Sequence, residues 1–209
     1  MTLDLERYHG LIFDMDGTLI DSMPTHLDAW ERAAKDFSIP FDREWIASMG
    51  GMPSTNITIE VNKRYGLDLD PVKVAKAKMD HFESMAEFGD LIDDTCDIVK
   101  HYLGRKKMAV GTGSVRQNAS RMLDDKALTP YFDAIVTASD VANHKPNPDT
   151  FLLAAKEIGV APEHCVVFED TMLGKQAAHA AGMDCVMVVE GGLEFCPKPT
   201  CSEPLCSKQ

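Results

Sequence analysis

Five short apolar runs, at residues 11–13, 108–110, 134–136, 166–168 and 186–189, constrain this chain more than any other feature. Each run is continuous. A strand with one wet face alternates apolar and polar residues, whereas a strand covered on both faces does not. Continuous runs therefore predict a parallel sheet with helices packed on both sides. Helix-compatible segments fill the later gaps, at residues 115–124, 150–158 and 174–181, the last stopped by Gly182. The expected fold is α/β, a doubly wound, Rossmann-like parallel sheet of five or more strands.

The first run is separated from the second by roughly 90 residues, far more than one crossover helix requires. Residues 25–37, 42–49, 56–65 and 71–88 carry helical patterns, broken once by Gly50-Gly51-Met52-Pro53. A structureless loop of that length is unusual in a compact domain. The expected organisation is a core over residues 1–20 and 88–190, a small helical insertion over 21–87, and an irregular tail over 191–209.

The formal net charge of −12 excludes a generic nucleic-acid binder, which needs clustered Lys and Arg. It leaves room for one small phosphorylated ligand held by a few local cations. The first ten residues hold no apolar signal core, and no run of about 18 apolar residues exists to span a membrane. A cytoplasmic address is the expectation. Cys165 and Cys185 lie inside apolar runs and read as small buried residues, and Cys96 falls on a helix-like segment. Cys196, Cys201 and Cys206 recur in the Pro-rich tail without a C-x2-C pair or a neighbouring His.

Four groups of polar residues follow directly on predicted strands, at the carboxyl edge where open α/β sheets bind ligands. In Phe13-Asp14-Met15-Asp16-Gly17-Thr18, two carboxylates at i and i+2 face the same way if the strand persists through them. One carboxylate can attack phosphorus while the other handles the proton of the leaving group. Thr112-Gly113-Ser114 offers a hydroxyl and backbone N–H groups near a helix start, with Gly111 and Gly113 allowing close approach of a phosphate. Lys145, in His144-Lys145-Pro146-Asn147, supplies a point positive charge. Glu169-Asp170 supplies hard oxygen ligands of the kind Mg2+ prefers.

These four motifs, in this order, resemble the signatures of the haloacid dehalogenase superfamily, whose members are mostly phosphotransferases. The resemblance spans residues 11 to about 190. It implies Asp14 as nucleophile, Asp16 as general acid and base, and Thr112, Gly113, Ser114 and Lys145 as phosphate ligands. It further implies Mg2+ held by Asp14, the backbone carbonyl of Asp16 and Asp170, with Glu169 reaching the metal indirectly. The insertion matches the place of the family's small α-helical cap, which suits a small soluble substrate and a monomer.

Within that insertion His26 and Lys78 match substrate-coupling positions of the β-phosphoglucomutase-like branch, and Gly51 lies in the segment matching its specificity loop. That branch carries a cap arginine for a second phosphate, whereas here the segment reads Pro53-Ser54-Thr55-Asn56. Hydrolysis of a sugar phosphate is therefore expected over its isomerisation. Stretches such as Ala109-Val110-Gly111-Thr112-Gly113-Ser114 are most similar to a group of enteric phosphatases acting on fructose 1-phosphate or 6-phosphogluconate. The alternatives are a sugar-phosphate mutase and a catalytically idle sugar-phosphate-binding regulator.

Overall fold

The computed structural model describes residues 3–50 and 52–199. Along the chain the elements are β1 (Gly10–Phe13), β2 (Ile20–Asp21), α1 (Met23–Asp36), α2 (Arg43–Ala47), α3 (Ser54–Tyr65) and α4 (Pro71–Glu83). They continue with β3 (Asp90–Leu91), α5 (Asp93–Tyr102), β4 (Lys107–Gly111), α6 (Arg116–Asp125), β5 (Ala134–Val136) and α7 (Asp149–Glu157). The last four are β6 (Cys165–Glu169), α8 (Met172–Ala180), β7 (Asp184–Val189) and β8 (Gly192–Cys196). Two compact units result, Met1–Leu19 with Ile92–Gln209, and Ile20–Leu91.

The first unit is an α/β domain built on a six-stranded sheet in the order β5-β4-β1-β6-β7-β8. The first five of these run parallel, and β8 runs antiparallel to β7. β1, with all four residues buried, lies between β4 and β6. Phe13 and Phe168 stack at 4.5 Å where these central strands end. One core cluster joins Ile12, Val167 and Cys185 of the sheet to Phe151 and Ala154 of α7 and Ala177 and Ala178 of α8. Burial of these apolar surfaces against both sheet faces is what continuous runs require. α5 holds the loop after β1, because the Thr95 hydroxyl donates to the Thr18 carbonyl at 2.5 Å.

Two expectations for this unit need correction. Residues 192–196 are not an irregular tail: β8 pairs with β7 over five register positions, from Cys185 opposite Cys196 to Val189 opposite Gly192. Cys196 is buried in the core cluster. An antiparallel edge strand of five residues lacks the continuous apolar run by which the other strands were read, and Pro197 follows at once. Gly111 serves packing, not close approach of a phosphate, since a Cβ there would come within 3.0 Å of the Phe151 ring. Cys201 and Cys206 lie outside the described residues.

The second unit contains α1 to α4 and the two-stranded ribbon β2–β3. It extends beyond residues 21–87 because Ile20 pairs with Leu91 and Asp21 with Asp90. Its core gathers Leu27, Trp30, Ala34, Ile46, Ile57, Val61 and Val74 from all four helices. α4 stops at Glu83, short of the expected residue 88, where the Ser84 N–H turns back to the Asp80 and His81 carbonyls. Among the described residues, no helix is long and apolar enough to cross a membrane.

Candidate active site

β1 delivers Asp14 to the carboxyl edge of the sheet. The strand ends at Phe13, although the Asp14 N–H still donates to the Phe168 carbonyl at 2.9 Å. The strand thus does not persist to Asp16, and its geometry does not orient the second carboxylate. A side-chain bond does that instead: the Ser114 hydroxyl donates to Asp16 Oδ2 at 2.8 Å. Ser114 comes from the loop after β4, the neighbouring strand, where its N–H also donates to Thr112 Oγ1 at 3.0 Å. The Ser114 N–H expected to meet phosphate is therefore engaged within the protein, as is its hydroxyl. Gly113 fronts open space, with nothing within 4 Å of where its Cβ would stand.

Lys145 Nζ donates to Asp14 Oδ1 at 2.8 Å and to Glu169 Oε1 at 2.7 Å. All three side chains are largely withdrawn from water. Burial by itself would lower the Lys145 pKa, but the Asp14 and Glu169 carboxylates more than offset it, and the ammonium is held charged. Burial raises Asp14 well above the usual carboxylate range; Lys145 opposes that rise, while Glu169, Asp170 and Asp16 add to it. Asp170 is pushed up to about 7, by burial first and by Glu169 next.

Carboxylate oxygens of Asp14, Glu169 and Asp170 lie within 4.8 Å of one another. With one ammonium among three carboxyl groups, a divalent cation would favour the ionised form of the carboxyls that burial otherwise disfavours. Asp170 Oδ1 is buried and has no hydrogen-bond partner among the described residues. An orphaned carboxylate oxygen in an all-oxygen cluster fits a hard cation such as Mg2+. Gly17, with φ of 77°, makes the cluster possible, because a Cβ there would stand 2.2 Å from Asp170 Oδ2.

His26 and Lys78 belong to the helical unit, where Lys78 Nζ and His26 Nδ1 are 2.7 Å apart. Lys78 is buried, and the His26 ring stacks on Phe82 at 4.2 Å. Gly51 lies outside the described residues.

The sequence reading did not single out the role of Thr171. Its N–H and its hydroxyl both donate to Glu169 Oε2, at 2.5 and 2.8 Å. Its Oγ1 accepts from the Gly174 N–H at 3.0 Å, which caps α8. A threonine directly before an Ala-rich helix is a capping signal, and that was the available clue.

The family model for haloacid dehalogenase-like hydrolases matches residues 11–188, nearly the whole described chain. The chain belongs to that family. Among curated relatives, the fructose-1-phosphate phosphatase YqaB of Escherichia coli is 45% identical, over 88% of this chain and 97% of its own length. A phosphorylated carbohydrates phosphatase of Thermotoga maritima is 30% identical, over 84% of this chain and 82% of its own. Among solved structures, a hydrolase of the same family from Entamoeba histolytica superposes with a TM-score of 0.75 at 25% identity. That match covers 88% of this chain and 85% of the other. Membership makes this chain an enzyme, a hydrolase with the family's four signatures on one sheet edge.

Proposed function

We propose that the chain is a Mg2+-dependent phosphatase that hydrolyses small sugar phosphates through an aspartyl-phosphate intermediate on Asp14. The observation that carries this reading is the buried Asp14 carboxylate bound by Lys145 and grouped with Glu169 and Asp170. A carboxylate kept beside one ammonium and a cation-binding cluster has lost water and can meet a phosphoryl group directly. The similarity to YqaB favours fructose 1-phosphate as substrate.

In this reading an Asp14 oxygen attacks phosphorus as the P–O bond to the sugar breaks, and Asp16 gives its proton to the leaving oxygen. Asp16 then takes a proton from water, whose oxygen attacks phosphorus and frees Asp14 and inorganic phosphate. Lys145 offsets negative charge on Asp14 and on the transferring group. Asp14, Asp170 and the Asp16 carbonyl would hold Mg2+, which when bound stabilises charge on the phosphoryl oxygens. Ser114 keeps the Asp16 carboxylate turned toward the site, and Thr112 and Gly113 face the phosphate. We read the helical unit as the family's cap, with His26 and Lys78 at the positions that couple to substrate in the β-phosphoglucomutase-like branch.

The test is phosphate release from fructose 1-phosphate, 6-phosphogluconate and other phosphate esters, with Mg2+ and with EDTA. Release that needs Mg2+ and disappears in Asp14→Asn supports the reading, and release unaffected by that change refutes it. β-Glucose 1-phosphate with a trace of its bisphosphate separates the isomerase alternative. Free phosphate supports hydrolysis, and glucose 6-phosphate would point to a mutase.

A further inference from the structure

We propose that Thr171 and Gly174 are positioning residues which hold Glu169 in the one place from which it can keep the Lys145 ammonium on Asp14. Glu169 is the pivot of this arrangement. It is 1% exposed, and each of its oxygens has a separate task. Oε1 accepts from Lys145 at 2.7 Å, while Oε2 accepts twice from Thr171. Lys145 then reaches Asp14 Oδ1 at 2.8 Å.

Gly174 shapes the same side chain by absence. A Cβ at that position would stand 1.9 Å from both Cδ and Oε1 of Glu169, a distance no contact tolerates. The carboxylate lies in the space that any larger residue on the first turn of α8 would fill. Thr171 and Gly174 are joined to each other through the cap bond from the Gly174 N–H to Thr171 Oγ1. The first turn of α8 is therefore both a helix cap and a cradle for one buried carboxylate. A long Lys side chain has three rotatable donors and no preferred fork, so without a fixed acceptor it does not stay on Asp14.

The kinetic part of this inference rests on the phosphatase reading; the spectroscopic part does not. In full-length protein with 15N-labelled lysine, the Lys145 ammonium signal is assigned by its disappearance in Lys145→Ala. Thr171→Val should speed hydrogen exchange at that ammonium, while Thr171→Ser restores the slow rate. For the reaction, Thr171→Val should lower kcat about 10- to 100-fold on whichever phosphate ester the parent protein turns over, with KM changed far less. In a Lys145→Ala background the same change should add less than twofold, because the element through which it acts is already gone.

Gly174→Ala is the second variant. Its Cβ must displace the Glu169 carboxylate, which costs stability against a small gain in helix propensity. A purely structural role therefore predicts a less stable protein with kcat and ammonium exchange unchanged. The inference predicts a folded protein with the same loss of kcat and the same fast ammonium exchange. It is overturned if exchange at Lys145 is unchanged in both variants. It is equally overturned if the Thr171→Val and Lys145→Ala losses multiply, or if Thr171→Ser is no better than Thr171→Val. A parent protein inactive on every ester, with the exchange results as predicted, would refute the phosphatase reading and leave this one standing.

Discussion

The Asp170 carboxylate occupies the space a side chain on Gly17 would need: a Cβ on Gly17 would lie 2.2 Å from Asp170 Oδ2. Asp170 is on the loop after β6 and Gly17 on the loop after β1, so one glycine sets how near the two rims come. Gly17→Ala is expected to push Asp170 out of the carboxylate cluster and to strain a backbone position with φ of 77°. The backbone part costs about 1–2 kcal/mol of stability. Activity should fall further than stability, and half-saturation by Mg2+ should move to higher concentration. Thermal unfolding beside a Mg2+ titration of activity checks both.

The cluster makes stability depend on pH in a definite direction. Asp170 has its folded pKa raised from 3.8 to about 7, so the folded state binds more protons than the unfolded state between those values. Its contribution is fully present below the unfolded pKa and is lost as pH rises through the folded one. Metal-free protein should therefore lose stability from pH 5 to pH 8, by up to about 1.4 kcal/mol per pH unit for one proton. Mg2+ should raise Tm more at pH 8 than at pH 6, and Asp170→Asn should flatten both trends. A metal-free Tm that rises over this range would contradict the assignment.

Ser114 is predicted to matter most where the leaving group is poor. Its hydroxyl holds Asp16 Oδ2 at 2.8 Å. Ser114→Ala removes that bond and should slow hydrolysis of a sugar phosphate about tenfold, since the leaving alkoxide needs a well-placed proton. p-Nitrophenolate leaves without one, so p-nitrophenyl phosphate should be affected much less. Comparing kcat on the two esters gives the answer, and equal losses would count against a proton-transfer role.

β8 should prove essential to the sheet. It pairs with β7 throughout, and Cys196 is buried against Cys185 and its neighbours. Ending the chain after Gly191 should expose the β7 edge and lower Tm by more than about 5 °C. A chain ended after Pro199 keeps the β7–β8 pairing and serves as the reference.

Much of this was legible in the sequence, for reasons that can be stated by residue. Strands buried on both faces announce themselves by composition, which is why β1, β4, β6 and β7 were readable, and the half-buried β5 was readable because its three residues are all apolar. Asp14, Lys145 and Asp170, which the fold brings together, stood out because each follows such a strand or stands in a short polar motif. β8 was missed because only Cys196 of its five residues is buried, so no continuous apolar run marks it. The Ser114–Asp16 tether and the Thr171–Glu169 bonds were illegible because they join side chains across the fold or within a turn whose shape the sequence does not specify. The reason for Gly111 was also hidden, since only the packed Phe151 ring explains it.

The most direct test of the account is a rapid acid quench during turnover of fructose 1-phosphate with Mg2+, followed by peptide mass spectrometry. The account predicts one phosphoryl group on the peptide that contains Asp14, absent from Asp14→Asn protein and lost on treatment with hydroxylamine. Turnover with no phosphorylated peptide at any quench time, or with the phosphoryl group on another residue, would contradict it.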